Sequence, residues 1–211
     1  MSILGNLGQA TIDGDQDLVV ELTQKALDEG IDPSQIIKEG LIPAMDFIGD
    51  EFAAGKLYVP EMLISARAMQ AGMDLVKPLL VEGQIETLAK VVIGTVRGDL
   101  HDIGKNLVGM MLEGAGAELI DLGVDVSPDR FVEVAKAEGA DFVALSTLLT
   151  TTMKAMKETV QALEEAGLRD QVKVLIGGAP VTSEYCSDIG ADGYGMDATE
   201  AVSRVRELAK G

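Results

Sequence analysis

The residues best suited to chemistry lie in one short motif, Asp99-x-His101-x-x-Gly104, which holds the only histidine of the 211-residue chain. An apolar, β-branched run at residues 90–96 precedes the motif, and helical spacing resumes at residue 103. Such a run predicts a buried strand. Because open α/β sheets bind ligands just beyond the carboxyl ends of their strands, His101 stands where this class of fold presents its chemistry.

Phosphate binding is one interpretation of this loop. Gly98 and the pair Gly104-Lys105 suggest a P-loop, but five residues separate the two glycines where a P-loop has four. Asn106 also stands where a P-loop needs Ser or Thr. Two carboxylates within the loop would repel a phosphate group. Spacing and charge therefore disfavour phosphate binding.

Two other interpretations of His101 stay open on the residues alone. It could be an ordinary exposed histidine in a strand-to-helix turn. It could instead be a metal ligand whose second ring nitrogen is held by the carboxylate of Asp99. Such a partner fixes the imidazole tautomer and raises the basicity of the ligand.

Small residues also follow the other predicted strands. They occur in the loops at residues 98–101, 146–152, 177–180 and 193–196. In an open parallel sheet these loops share one edge, so a single site could use all of them. Glycine is common in tight turns after strands, and this alone would explain any one loop.

Hydrophobic periodicity divides the chain into two parts. Up to about residue 80, apolar residues recur at helical spacing in four segments, which predicts an antiparallel four-helix bundle in which Pro43 kinks or restarts the third helix. From residue 90, five apolar runs alternate with amphipathic segments, which predicts an α/β domain with a flavodoxin-like, doubly wound five-stranded parallel sheet. We place the helical domain at residues 1–86, the sheet domain at 87–211 and a linker near residues 82–88. Four methionines are expected to fill the core of the bundle, namely Met45, Met62, Met69 and Met73.

Composition disfavours several classes of function. The formal charge of -18 argues against nucleic acid and anionic membranes as partners, because both need Lys and Arg to replace counterions. Aromatic residues make up only 3% of the chain, too few for a base-stacking surface. The single cysteine, Cys186, excludes an internal disulfide and a zinc cluster. With no secretory leader and no run near the ~20 apolar residues of a membrane span, we expect a cytoplasmic protein.

Three short motifs, by their order and spacing, resemble the signature of the cobalamin-binding domains of methionine synthase, corrinoid methyltransferase proteins and cobalamin-dependent mutases. They are Asp99-x-His101-x-x-Gly104, Ser146-x-Leu148 and Gly177-Gly178. Residues 1 to about 85 also resemble the helical cap of the methionine synthase type, including the segment Gly55-Lys56-Leu57-Tyr58-Val59-Pro60-Glu61. The resemblance covers almost the whole chain. It looks most like a stand-alone corrinoid protein of a methanol, methylamine, betaine or methoxyarene methyltransferase system.

The resemblance implies a cobalamin cofactor bound base-off/His-on. His101 would be the metal ligand, in the lower axial position of the cobalt, and Asp99 and Thr152 would form a catalytic relay behind it. Tyr58 matches an aromatic residue over the upper face of the corrin, and the small residues after the strands would line a slot for the nucleotide tail. The implied cofactor-binding residues are Tyr58, Gly98, Asp99, Leu100, His101, Asp102, Ile103, Gly104, Ser146, Leu148, Thr150, Gly177, Gly178, Ala179 and Tyr194.

The implied function is a methyl carrier that does not complete a catalytic cycle alone. A substrate-specific methyltransferase would load the corrinoid, and a second methyltransferase would unload it to tetrahydrofolate or to a thiol such as coenzyme M. A reductive activation protein would also act on the cobalt. The cobalamin-binding subunit of an adenosylcobalamin mutase and a cobalamin-dependent sensor are alternatives that share the three motifs. The helical cap disfavours the mutase, and the lack of Trp and of a basic DNA-binding module disfavours the sensor.

Overall fold

A computed structural model describes residues 2–80 and 87–210 of the chain. Its contacts form two compact units, Met1–Glu86 with Gly114–Gly116, and Thr87–Glu113 with Ala117–Gly211. Of the linker expected near residues 82–88, residues 82–86 lie outside the described part of the chain. Within the described ranges, no helix is long and apolar enough to cross a membrane.

The first unit is helical. Its α-helices are α1 (Ile3–Ile12), α2 (Gln16–Asp28), α3 (Pro33–Gln35), α4 (Ile42–Ala53) and α5 (Val59–Val76), and a 3₁₀ turn follows at Lys77–Leu79. The side chains of Ser2, Asp15 and Asp32 accept hydrogen bonds from backbone N–H groups in the first turns of α1, α2 and α3. These caps satisfy donors that the start of a helix leaves unpaired.

The third predicted helix is one helical path that changes its winding before Pro43. A π-helical segment, Ile36–Leu41, joins α3 to α4. Pro43 lies in the first turn of α4, where its missing N–H is not needed. At Pro43, where the sequence predicts a kink or a restart, a new α-helical segment begins within a continuous helical path, and the described part of the unit has the four predicted helices.

Methionine fills part of the interior of the helical unit. Met45, Met62, Met69 and Met73 are all buried, as predicted. An unbranched, flexible thioether suits the irregular spaces between crossing helices. These side chains therefore serve the packing of the unit.

The second unit is a five-stranded parallel sheet with the strand order β2-β1-β3-β4-β5. The strands are β1 (Lys90–Thr95), β2 (Glu118–Asp121), β3 (Phe142–Ser146), β4 (Lys173–Gly177) and β5 (Gly193–Gly195). The helices between and after them are α6 (Ile103–Gly114), α7 (Pro128–Glu138), α8 (Met153–Glu165), α9 (Ser183–Asp188) and α10 (Ala198–Leu208). The predicted α/β class and flavodoxin-like sheet are confirmed. The interior residues of β1, β3 and β4 are buried, which is typical of parallel strands covered on both faces.

The register of the sheet aligns the carboxyl ends of four strands. Thr95 pairs with Ser146, Ser146 with Gly177, and Gly177 with Gly195. The loops that leave β1, β3, β4 and β5 therefore start from one row at one edge. The strand order reverses between β1 and β3, and such a switch point is where ligands bind in open α/β sheets.

Candidate functional site

The His101 loop connects β1 to α6. Gly98 has a φ of 85°, a conformation that glycine adopts without strain. The hydroxyl of Thr95, the last residue of β1, donates to the carbonyl oxygen of His101 at 2.9 Å. The loop thus folds back over the end of its own strand, and the His101 side chain is 52% exposed.

Asp99 is fully buried at the base of this loop. Its Oδ1 accepts from the backbone N–H of His101 at 3.0 Å and lies 2.6 Å from Nδ1 of the ring. Its Oδ2 accepts from the N–H of Leu148 at 2.7 Å, and the hydroxyls of Thr147 and Thr152 lie 2.9 and 3.1 Å away. Burial alone would raise the pKa of the Asp99 carboxyl. The donors from His101, Leu148 and Thr147 outweigh burial and hold that pKa well below its ordinary value.

The ionised carboxylate of Asp99 determines which nitrogen of the neutral imidazole carries the proton. A carboxylate only accepts hydrogen bonds, so Nδ1 of His101 carries the proton and donates to Asp99. Nε2 then keeps its lone pair, and the half-exposed ring presents it for coordination. In the described ranges no group of three or more His, Cys, Asp and Glu could hold a metal ion.

Two threonine hydroxyls close the far side of the Asp99 carboxylate. Thr152, expected at the end of the relay, is the N-cap residue of α8, and its hydroxyl reaches Asp99. Thr147, which the sequence analysis did not single out, lies closer to the same oxygen. A polar residue directly after a buried strand is the signal that would have found it.

Asp125 ties the loop after β2 to the His101 loop. Its Oδ1 accepts the N–H of Gly98 at 2.7 Å, and its own N–H donates to the carbonyl oxygen of Asp99 at 3.0 Å. Its φ of 55° is the single positive value at a non-glycine residue in the described part of the chain. Asp is among the few residues that tolerate this conformation. Asp125 is not among the residues predicted from the sequence, although it too follows a strand at this edge.

The glycines at this edge serve two different needs. A Cβ on Gly178, whose φ is 125°, would overlap the carbonyl oxygen of Thr147, and a Cβ on Gly177 would lie 3.0 Å from the carbonyl oxygen of Gly195. The protein's own backbone therefore requires glycine at position 178 and leaves little room for a side chain at position 177. A Cβ on Gly104 would meet no atom within 4 Å. Glycine at that position leaves a slim surface beside His101, where a ligand can approach the backbone closely.

Every exposed large apolar side chain in the described part of the sheet unit follows the carboxyl end of a strand. These side chains are Leu100 and Ile103 after β1, Val124 after β2, Leu148 and Leu149 after β3, and Met196 after β5. Leu100 is 70% exposed and Ile103 is 82% exposed, on either side of His101. A concentration of apolar surface of this kind marks a binding face.

The remaining expected cofactor residues of the sheet unit lie in different settings. Ser146 ends β3 and is half-buried, whereas Thr150 and Ala179 are exposed in the loops after β3 and β4. Asp102 is exposed next to His101. Tyr194 lies within β5, where it is partly buried and packs against the core.

Tyr58 belongs to the helical unit. It is the N-cap residue of α5, and its backbone N–H donates to the carboxylate of Glu61 at 3.0 Å. Its side chain is 70% exposed. An aromatic ring at a helix start is thus held by the backbone while its face stays open.

The residues at the carboxyl edge fit a corrinoid. His101 offers one ring nitrogen that Asp99 does not engage, on a side chain that is half exposed, which matches a metal whose remaining ligands come from a macrocycle. The exposed apolar side chains match the largely apolar face of such a ring, and Gly104 leaves room for close approach.

Comparisons with known proteins agree with this chemistry. Family models described as the B12 binding domain match residues 89–203 and residues 3–77. A corrinoid protein of Desulfitobacterium hafniense (strain Y51) is 42% identical over 211 residues, which cover 99% of this chain and 98% of that protein. Trimethylamine corrinoid protein 1 of Methanosarcina acetivorans is 44% identical over 208 residues, 98% of this chain and 96% of that protein. The solved structure of the methanol:cobalamin methyltransferase complex from Methanosarcina barkeri matches with a TM-score of 0.90 at 30% identity, over 99% of this chain and 80% of that chain.

Proposed function

Because the chain belongs to the family of B12-binding corrinoid proteins, whose cofactor is cobalamin, we propose that it is the methyl carrier of a corrinoid-dependent methyltransferase system. When bound, the corrinoid supplies a cobalt atom that accepts a methyl group from one substrate and yields it to another. The observation that carries the proposal is the buried carboxylate behind His101, which leaves Nε2 free at an exposed apolar edge.

Four residues in and beside the His101 loop have a defined task in this proposal. His101 would hold the cobalt of the corrinoid through Nε2. Asp99 holds the ring through Nδ1 and keeps the lone pair of Nε2 directed outward. Leu100 and Ile103 exclude water from the face of the macrocycle.

The relatives support the kind of partner. The methanol:cobalamin methyltransferase complex, whose chain matches this one in fold, names a methyltransferase, and the trimethylamine corrinoid protein names a methylated amine. We therefore assign a substrate-specific methyltransferase as the partner that loads this protein. A second methyltransferase, with tetrahydrofolate or a thiol such as coenzyme M as acceptor, unloads it, and a reductive activation protein acts on the cobalt.

A chain with one histidine allows a sharp test of the metal ligand. Protein reconstituted with cobalamin is brought to the Co(II) state, and electron paramagnetic resonance spectra are recorded for three samples: unlabelled protein, protein with nitrogen-15 in histidine only, and His101→Ala. We expect the axial-nitrogen splitting to change with the label and to disappear in the variant. A splitting that ignores the label would mean that cobalt keeps its own base, and the assignment of His101 would fail.

The carrier role needs a separate assay. Protein loaded with methylcobalamin is mixed with tetrahydrofolate or coenzyme M, with and without a second methyltransferase, and the methylated acceptor is measured. We expect product only when the methyltransferase is present, because the protein supplies the cofactor site and not the acceptor site. Comparable product without the methyltransferase would contradict a carrier.

A further inference from the structure

The hydroxyls of Thr147 and Thr152 form a compact pair behind Asp99. Their Oγ1 atoms are 2.6 Å apart, and they lie 2.9 and 3.1 Å from the same oxygen of Asp99. The two residues are only 1% and 8% exposed, so bulk water does not compete for these contacts. The carboxylate that orients His101 therefore faces two interchangeable donors.

Counting protons shows why the two hydroxyls act together. The pair has two O–H protons, since each hydroxyl carries one. Its acceptors are Oδ2 of Asp99, the carbonyl oxygen of Leu149 and the partner hydroxyl. If Thr147 donates to Asp99, Thr152 donates to the carbonyl or to Thr147, and the reverse arrangement is equally complete.

The distances favour Thr147 as the donor to the carboxylate. Thr147 is the nearer hydroxyl to Asp99, whereas Thr152 lies 2.9 Å from the carbonyl oxygen of Leu149 and Thr147 lies 3.4 Å from it. The backbone of Thr147 is also fixed, because its N–H donates to the carbonyl oxygen of Gly177 at 3.2 Å and Gly178 packs against its carbonyl group. The backbone that carries the Thr147 hydroxyl is thus held on both its N–H and its carbonyl side.

The geometry points to Thr147 as a second positioning residue for His101, which shares with Thr152 the donation of one hydroxyl hydrogen bond to Asp99. A donor on Oδ2 withdraws electron density from the carboxylate and weakens its pull on the Nδ1 proton of His101. One hydroxyl is sufficient, so the loss of either is compensated by rotation of the other. The loss of both leaves Asp99 a stronger acceptor toward the ring.

The test uses the cobalt-free protein with nitrogen-15 in histidine, so that the nuclear magnetic resonance spectrum reports one ring. The chemical shift of the Nδ1 proton measures the pull of Asp99 on that proton. The variants are Thr147→Val, Thr152→Val and the double variant, because Val keeps the shape of Thr and removes the hydroxyl. Thr151→Val, an exposed change in the same loop, is the matched control and is expected to give the parent shift.

We expect each single variant to change the chemical shift of the Nδ1 proton by less than half of the change seen in the double variant. The change in the double variant then exceeds the sum of the changes in the two single variants. Thr147→Ser combined with Thr152→Val is expected to return the signal of Thr152→Val alone, which separates the hydroxyl from the lost methyl packing. If the double Val variant does not fold, Thr147→Cys with Thr152→Val replaces it, since a thiol is a weak donor of similar size.

Three results would overturn the shared donation: additive single effects, a double variant equal to Thr152→Val alone, and a double variant equal to the parent. The importance of the pair rests on the proposed role of His101 as the cobalt ligand. The shift is measured without cobalt, however. Failure of the shared donation is therefore distinguishable from failure of the ligand assignment, which the Co(II) spectrum tests.

Discussion

Asp99→Asn keeps the shape of the side chain that orients His101 but replaces one carboxylate oxygen with an NH₂ donor. The N–H of Leu148 and the hydroxyl of Thr147 both face Oδ2. The amide oxygen of the variant must take that side, and its NH₂ then faces the ring. We expect the NH₂ to donate to Nδ1 of His101, so that the proton of the neutral imidazole moves to Nε2. A protonated Nε2 has no lone pair for a metal.

Two terms set the cost of this change to stability. The backbone N–H of His101, which is 3.0 Å from Oδ1, loses its acceptor, and an unpaired donor that is only partly buried costs about 1 kcal/mol. The bonds to the other oxygen change from charge-assisted to neutral ones, which costs about 1 kcal/mol each. Removal of a buried charge offsets part of this sum. We expect the free energy of unfolding of the sheet unit to fall by about 2–4 kcal/mol.

The assay combines structure and stability in one protein. Nitrogen-15 histidine spectra of the cobalt-free variant should show the ring proton on Nε2, and urea unfolding followed by circular dichroism should give the loss in stability. Asp102→Asn, an exposed change in the same loop, is the control and should keep the Nδ1 proton and the parent stability. A variant at Asp99 with the proton still on Nδ1 would refute the argument from donors and acceptors.

Four further predictions follow from the same loops. Gly178→Ala should lower the free energy of unfolding by at least about 3 kcal/mol, because a Cβ there overlaps a backbone carbonyl and φ is 125°. Gly104→Ala should keep or raise the stability of the cobalt-free protein, by up to about 1 kcal/mol, yet weaken cobalamin binding at least roughly tenfold; equal affinity in a binding titration would contradict the role given to Gly104. Asp125→Ala should lower the free energy of unfolding by about 2–4 kcal/mol and Asp125→Gly by about 1–2 kcal/mol. Both variants lose the side-chain hydrogen bond to Gly98 in the His101 loop, but only Ala is strained by the positive φ. Equal urea midpoints for the two variants would exclude strain. The pKa of Asp99 is lower in the folded protein than in the unfolded chain, so the ionised carboxylate contributes to the free energy of unfolding. This contribution is complete above the unfolded-state pKa of about 4, and it is lost as pH falls from there through the folded-state pKa. The stability gap between the parent and Asp99→Asn should therefore narrow below about pH 4 in urea titrations, and a constant gap would contradict the linkage.

The sequence predicts the elements of this protein well because each one has a clear period. The five strands, the helices between them and the restart at Pro43 follow from apolar spacing and from the chemistry of proline. The Asp99 and His101 side chains lie two residues apart, so their pairing depends on one loop and can be proposed from the sequence. Local patterns are sufficient where the interaction itself is local.

The other supports of His101 depend on the register of the sheet. Thr147 is 48 residues from Asp99 along the chain, and Asp125 is 27 residues from Gly98. Sequence spacing does not show which residue of a neighbouring loop faces the carboxylate. Successive side chains point in different directions, so a shift of one residue in the alignment of the strands would bring a different side chain to Asp99. The sequence likewise cannot distinguish Gly178, needed by a neighbouring backbone, from Gly104, which faces open space.

The distribution of these supports has a physical reason. A carboxylate that is completely buried loses its hydration, and it stays ionised only if several donors replace the lost water. The His101 loop alone supplies donors to one oxygen of Asp99, and the loop after β3 supplies them to the other. The ionised form, and with it the proton on Nδ1, therefore depends on the aligned ends of β1 and β3. A half-exposed ring on a surface loop thereby gains one tautomer and one orientation, and it does so only in the folded sheet.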